Sequence, residues 1–266
     1  MKSLRLFASV AAFSLLAHVG FGQVSITASG TYTQNFDTLI SSSSATWTDN
    51  STLANWYAQR SGTGTTIAAD TGSGTGGNLY SYGSTSASDR ALGSLGSGNA
   101  AAGHFAWGVT FQNNAAGTTT LGTLSYVGEQ WRNSAAAAQS ITVWYQLSSS
   151  NITSFTPNID TGWTQLNGLT FTSPITGGSA GALNGNLSAN RTSLSLDVSS
   201  ITLTSGQYLA IRFSDVDHSG TDHGLAIDDF SLSYTAIPEP STYAAIFGAL
   251  ALVGVIAHRR RQKHAA

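Results

Sequence analysis

Five carboxylates fall within fifteen residues late in the chain: Asp215, Asp217, Asp222, Asp228 and Asp229. Like charges at that spacing repel unless something neutralises them, and a hard cation with oxygen ligands suits carboxylates best. The run Asp215-Val216-Asp217-His218-Ser219-Gly220 matches the first half of an EF-hand loop. In such a loop alternate side chains turn inward and the glycine permits a tight turn. The match ends at position twelve, where Ala226 stands in place of the bidentate Glu. One expectation is therefore a structural Ca²⁺ loop on a β-scaffold, with Asp215, Asp217, Ser219, Asp228 and Asp229 as ligands. The other is a solvated turn plus one buried Asp that fixes the final strand through backbone amides. His218 and His223 flank the same carboxylates and raise a His/Asp transition-metal site, although polar loop positions explain them more simply.

Other candidate chemistry is sparser. Trp47, Trp56 and Tyr57 lie in stretches without clean alternation, so they are expected at the surface, where aromatic faces stack on sugars. Glu129, within Gly128-Glu129-Gln130-Trp131-Arg132, is the one Glu before residue 237. Glycoside hydrolysis needs two placed carboxylates, and a Glu bonded to Arg132 or to backbone at a strand end is the plainer role. Gly72-Ser73-Gly74-Thr75-Gly76-Gly77 satisfies the dinucleotide fingerprint, and Gly177-Gly178-Ser179-Ala180-Gly181 the nucleophile-elbow pattern. Neither is expected to act, because both motifs require a strand before and a helix after. Four Asn-x-Ser/Thr sequons begin at Asn50, Asn151, Asn186 and Asn190 and carry little weight beside the terminal signals described below. No recognisable catalytic pair emerges, and the chain is expected not to be an enzyme.

These residues must be positioned by strands. Phe105, Trp107, Val109 and Phe111 recur at period two, as do Ile141, Val143, Tyr145 and Leu147, and then Leu194, Leu196 and Val198. Tyr208–Phe213 and Leu225–Leu232 follow the same rule, with Gly-, Asn- and Ser-rich turns between the runs. The expected architecture is all-β: roughly ten to twelve strands in a single jelly-roll-type β-sandwich. Between residues 23 and 236 the chain carries five arginines, no lysine and twelve carboxylates, a net charge of −7. Nucleic acid is a poor partner for such a surface, since phosphate binding needs a basic footprint. Without cysteine there is no disulfide framework, but this length builds a core without one.

The ends read as targeting segments. Residues 1–22 carry Lys2 and Arg5, an apolar run from Leu6 to Val19 and small residues at Gly20 and Gly22, the layout of a secretory signal peptide. Residues 23–236 then form the exported domain. Residues 237–266 hold Pro238-Glu239-Pro240, an uncharged apolar stretch from Tyr243 to Ala257, and Arg259-Arg260-Arg261. A transmembrane helix is expected over about 242–257, near the lower length limit for a span. The basic tail, 258–266, would remain cytoplasmic under the positive-inside rule.

That order of motifs closely resembles the PEP-CTERM sorting signal of bacteria. The resemblance implies recognition by an exosortase, a membrane transpeptidase-like enzyme, and delivery to the cell envelope, outer surface or extracellular matrix. It also implies association with exopolysaccharide. A second, shorter resemblance is carried by Gly224-Leu225-Ala226-Ile227-Asp228-Asp229-Phe230-Ser231-Leu232, which looks like the closing strand of MAM-type secreted jelly-roll domains. It implies that the first and last strands pair, with Asn35-Phe36-Asp37 close to Asp228 and Asp37 as a further ligand. The expected function is a non-catalytic surface or matrix protein. The alternatives are a lectin-like carbohydrate-binding module and, behind it, a polysaccharide hydrolase.

Overall fold

Strand formation follows the alternation of apolar and polar residues, and the two-residue period decides which side chains enter the core. The computed structural model describes residues 22–237 and 247–256. The expected signal peptide up to residue 21, Pro238-Glu239-Pro240 and Arg259-Arg260-Arg261 lie outside the described residues. In chain order the strands are β1 (Val24–Ile26), β2 (Gly30–Gln34), β3 (Ser44–Thr46), β4 (Trp56–Arg60), β5 (Thr66–Asp70) and β6 (Asn78–Tyr82). There follow β7 (Ala91–Leu95), β8 (Phe105–Asn113), β9 (Thr119–Asn133), β10 (Ser140–Ser148), β11 (Thr164–Gln165) and β12 (Phe171–Thr172). The last are β13 (Gly181–Ala182), β14 (Arg191–Asp197), β15 (Thr202–Leu203), β16 (Tyr208–Asp215) and β17 (Gly224–Ala236). Eleven have five or more residues, within the expected range; the rest are two- or three-residue pairings that turn-rich sequence does not announce.

The strands form two sheets packed face to face. The first runs β1-β8-β16-β10-β11, with β4 also on β8 and β12 on β10. The second runs β13-β9-β17-β7-β6-β5-β3, with β14 and β15 also on β9 and β2 on β17. The first strand does not pair with the last as expected from the closing motif: β1 pairs with β8, and β17 takes the second strand instead, with Gln34 opposite Phe230 and Tyr32 opposite Leu232. Between the sheets lies one continuous core that includes Phe105, Trp107, Val109 and Phe111 of β8, Ile141 and Val143 of β10, and Leu209, Ile211 and Phe213 of β16. All lie on the faces their period assigned to them. Phe213 is the hub: it stacks on Trp56 and Trp107 at 6.5 and 6.4 Å and meets Tyr126 and Phe230 edge-on at 5.1 and 6.1 Å.

Two glycines sit inside long strands where neighbours leave no room for a side chain. A Cβ at Gly128 would stand 2.2 Å from the Phe171 ring, and one at Gly108 would stand 2.0 Å from the Ile211 carbonyl oxygen. The six residues 72–77 of the dinucleotide-like motif follow β5 and lead into β6, so strands flank them on both sides and no helix follows. Residues 247–256 are helical, with Phe247, Leu250, Leu252 and Val253 exposed. Among the described residues no helix is long and apolar enough to cross a membrane.

Candidate functional site

Asp215 is the last residue of β16, and there the chain leaves the first sheet to loop over to β17. Its side chain turns between the sheets, where Ser94 on β7 donates its hydroxyl to Oδ2 at 2.5 Å. Only 3% of the residue is exposed. Burial pushes its pKa up to about 8; the Ser94 bond opposes this, and the nearby Asp222 and Asp217 carboxylates add to it. Asp222, buried as well, accepts the His218 backbone N–H at 3.0 Å, and its Oδ1 lies 3.3 Å from His218 Nδ1. Its pKa is raised, chiefly by burial. Asp217 donates its backbone N–H to His104 Nδ1 at 2.8 Å, and Ser219 is exposed at the loop tip.

His223 is a buried strut rather than a loop polar group. Its Nδ1 accepts the Ser134 N–H at 3.0 Å, which leaves the proton on Nε2, 3.2 Å from the Ala137 oxygen. Its own N–H donates to Gln139 Oε1 at 2.6 Å. The loop is thus fastened to residues 134–139.

Asp228 and Asp229 belong elsewhere. Asp228 lies opposite Val127 on β9, next to the Ala226–Glu129 pair, and this places it on the outer face of the second sheet. Its Oδ1 accepts the Asp229 N–H at 2.7 Å, while Asp229 is exposed at a positive φ of 49° where the ladder shifts register. Asp215 and Asp228 therefore lie on opposite faces of that sheet, and the five expected ligands do not meet at one point. Among the described residues no three His, Asp or Glu side chains converge at metal-ligand spacing. Burial holds the Asp228 pKa up near 8, with Glu129, Asp229 and Asp89 adding to it. Asp37 accepts the Arg90 N–H at 3.2 Å.

Glu129 departs from the expected strand-end role. It sits mid-strand in β9, 1% exposed, with Oε2 accepting Trp131 Nε1–H at 2.8 Å and Oε1 without a protein partner. Burial raises its pKa to about 7 against the opposing Trp131 bond.

The expectation of exposed aromatics fails for all three, since Trp47, Trp56 and Tyr57 are buried. Trp56 is wholly buried in the core against Phe36 and Phe213. Tyr57 is buried too, stacked on Phe155 at 5.6 Å with its hydroxyl donating to the Gly22 oxygen at 2.6 Å. Both lie on the short strand β4, too brief for its alternation to show in sequence. Trp47, 8% exposed and part of the main core, still borders an open slot of about 660 Å³ together with Asp49, Ala58, Gln59, Arg60 and Thr65. Trp47 Nε1–H donates to Asp49 Oδ1 at 2.7 Å, and the same oxygen accepts the Ala58 N–H at 2.9 Å. Arg60 lies over the Phe105 ring at 5.0 Å.

No family model and no curated protein matches the chain. A solved structure to which it is similar is the K2 cleaved adhesin domain of Lys-gingipain, at 14% identity and a TM-score of 0.35, over 76% of this chain and 97% of that one. Identity and score at that level leave the reading of function to the residues themselves.

Of those residues, Asp49 and Arg60 were missed in sequence, and Asp222 was counted in the acidic cluster but left out of the expected ligand set. Asp222 falls outside the alternate positions of the EF-hand pattern. The signal for Asp49 lay in its two-residue distance from Trp47, the spacing at which a carboxylate reaches an indole N–H.

Proposed function

We propose that the chain is an exported, non-catalytic protein of the cell surface or extracellular matrix, built on a jelly-roll-type sandwich and sorted by a PEP-CTERM signal. The observation that carries this is the order Pro238-Glu239-Pro240, uncharged apolar stretch, Arg259-Arg260-Arg261. In this reading residues 1–22 direct export and an exosortase-type enzyme acts at the Pro-Glu-Pro motif. The apolar segment holds the chain in the membrane at least transiently, and the exported domain meets exopolysaccharide. The exposed apolar side chains of helix 247–256 support a non-aqueous setting for that segment; its ten residues rise about 15 Å, part of the ~30 Å hydrocarbon core.

Binding is favoured over hydrolysis by where the perturbed acids sit. Asp215, Asp228 and Glu129 are the carboxyls held near neutral pKa, and none of them lines the large slot. In this reading Ca²⁺ has a structural role at most.

Deleting residues 237–266 is expected to move the protein from the envelope fraction to the medium or periplasm. The intact mass of the native protein should show a C-terminus near Pro240. Unchanged fractionation of the deletion, together with a full tail on the native protein, would overturn the sorting reading.

A further inference from the structure

We propose that the slot beside Trp47 binds a short segment of neutral, hydroxyl-rich polysaccharide; this names the ligand class for the matrix-binding reading above and rests on it. The slot lies on the side of the sandwich where the edges of the two sheets stand apart. β4 is an edge of the first sheet, paired only to β8, and β3 is the edge of the second, paired only to β5. Leu79 and Phe105 form its floor, and Thr63, Thr65 and Thr156 stand on its walls. Its volume falls within the roughly 300–1,000 Å³ typical of small-ligand sites.

The edge of β4 defines what fits. Asn55 accepts from Thr110 N–H and Ser61 donates to His104, so Tyr57 and Gln59 turn their backbone toward β8, and Trp56, Ala58 and Arg60 turn theirs outward. Three of those outward groups are already capped: the Trp56 N–H donates to the Leu53 carbonyl at 3.1 Å, the Trp56 carbonyl accepts the Asn50 N–H at 2.8 Å, and the Ala58 N–H is taken by Asp49. Among the described residues, that leaves the Ala58 carbonyl and the Arg60 N–H and carbonyl without a protein partner. One such step is too short for an added peptide strand, which needs alternating donors and acceptors along several residues.

An anionic ligand is disfavoured by the commitments of Arg60. Its Nη1 donates to Asn78 Oδ1 at 2.8 Å and its Nη2 to the Thr66 carbonyl, with the guanidinium face on Phe105. Asp49 adds negative charge to the same slot, with Oδ2 free of hydrogen-bond partners among the described residues. An apolar ligand would strand the threonine hydroxyls and the open backbone groups, at a cost for each unpaired buried polar atom. A sugar chain presents what remains: hydroxyls that both donate and accept, and C–H groups for the apolar part of the lining, including the small part of Trp47, 8% exposed, that borders the slot.

The test uses the full-length chain in detergent, titrated calorimetrically with maltohexaose, cellohexaose, laminarihexaose and mannohexaose, with hexagalacturonate as the anionic comparison. Saturable binding of at least one neutral hexasaccharide is expected, weakened about tenfold or more by Thr65→Trp, which fills the slot from an exposed position. Thr156→Trp, on a separate loop, serves as the second variant, and each is checked for an unchanged melting temperature. Absence of neutral binding, equal binding by both folded variants, or preference for hexagalacturonate each overturns the proposal. The outcome is separable from sorting: relocation of the 237–266 deletion with no glycan binding sinks only the ligand assignment, and the reverse result sinks only the sorting signal.

Discussion

Phe213→Ala is expected to lower the free energy of unfolding by about 3–5 kcal/mol, the range for truncating a buried aromatic. The reason is position: Phe213 touches Trp56, Trp107, Tyr126 and Phe230 at once, and these come from both sheets. Its removal opens a cavity that four rigid rings cannot collapse to fill. Against a typical total stability of roughly 5–15 kcal/mol, the loss is a large fraction. Urea unfolding followed by Trp fluorescence would read it as a lower midpoint at unchanged slope. A change below about 1 kcal/mol, the scale of an ordinary substitution, would show that the two sheets do not depend on this contact. The same geometry warns that Trp56→Ala reports on folding rather than on sugar binding.

Stability is expected to fall as pH rises from about 4 to about 8. Unfolded Asp and Glu release their protons near pH 4. In the folded chain Asp215 and Asp228 hold theirs to about 8 and Glu129 to about 7, because burial disfavours the charged forms. Through that window the folded state binds more protons than the unfolded one, so each rise in pH costs stability until all three are ionised. For Asp215, a pKa held near 8 when folded against one near 4 when unfolded corresponds to something on the order of 5 kcal/mol. His223 works the other way: burial lowers its pKa, so its contribution is present above the unfolded value near 6.5 and is lost below it. Asp215→Asn keeps an acceptor for Ser94 and removes the ionisation. The variant should therefore match the wild type near pH 5 and exceed it clearly near pH 9 in melting temperature. Parallel pH profiles for the two proteins would refute the assignment.

What the sequence made legible was the alternation of long, strongly apolar strands. β8, β10, β16 and β17 are readable because each carries three or more large apolar residues at period two. β9 was not readable as a single fifteen-residue strand, since Gly122, Gly128 and the pair Glu129-Gln130 interrupt its pattern. The glycine at 128 is there to admit Phe171, a partner more than forty residues away. β7, Ala91-Leu92-Gly93-Ser94-Leu95, is buried throughout, so no solvent face imposes a period. The acidic loop misled for a related reason. Local spacing grouped Asp215 with Asp228, whereas pairing of the strands put a sheet between them. The slot was legible only at Trp47, because its other wall comes from the edge of β4 and its floor from β6 and β8.

The placement of β17 bears on mechanical load. This strand lies inside its sheet, paired with β9 from Gly224 to Ala236 along one side and with β7 and β2 on the other. Ile237 prolongs the ladder by donating to the Thr118 oxygen at 2.8 Å. A pull transmitted from a tethered C-terminus would run along the axis of β17 and shear both ladders together. Many hydrogen bonds then share the force at once, where a strand peeled from an edge would yield them one after another. A domain held at that end while flow drags on a bound polymer would resist extension with its strongest element.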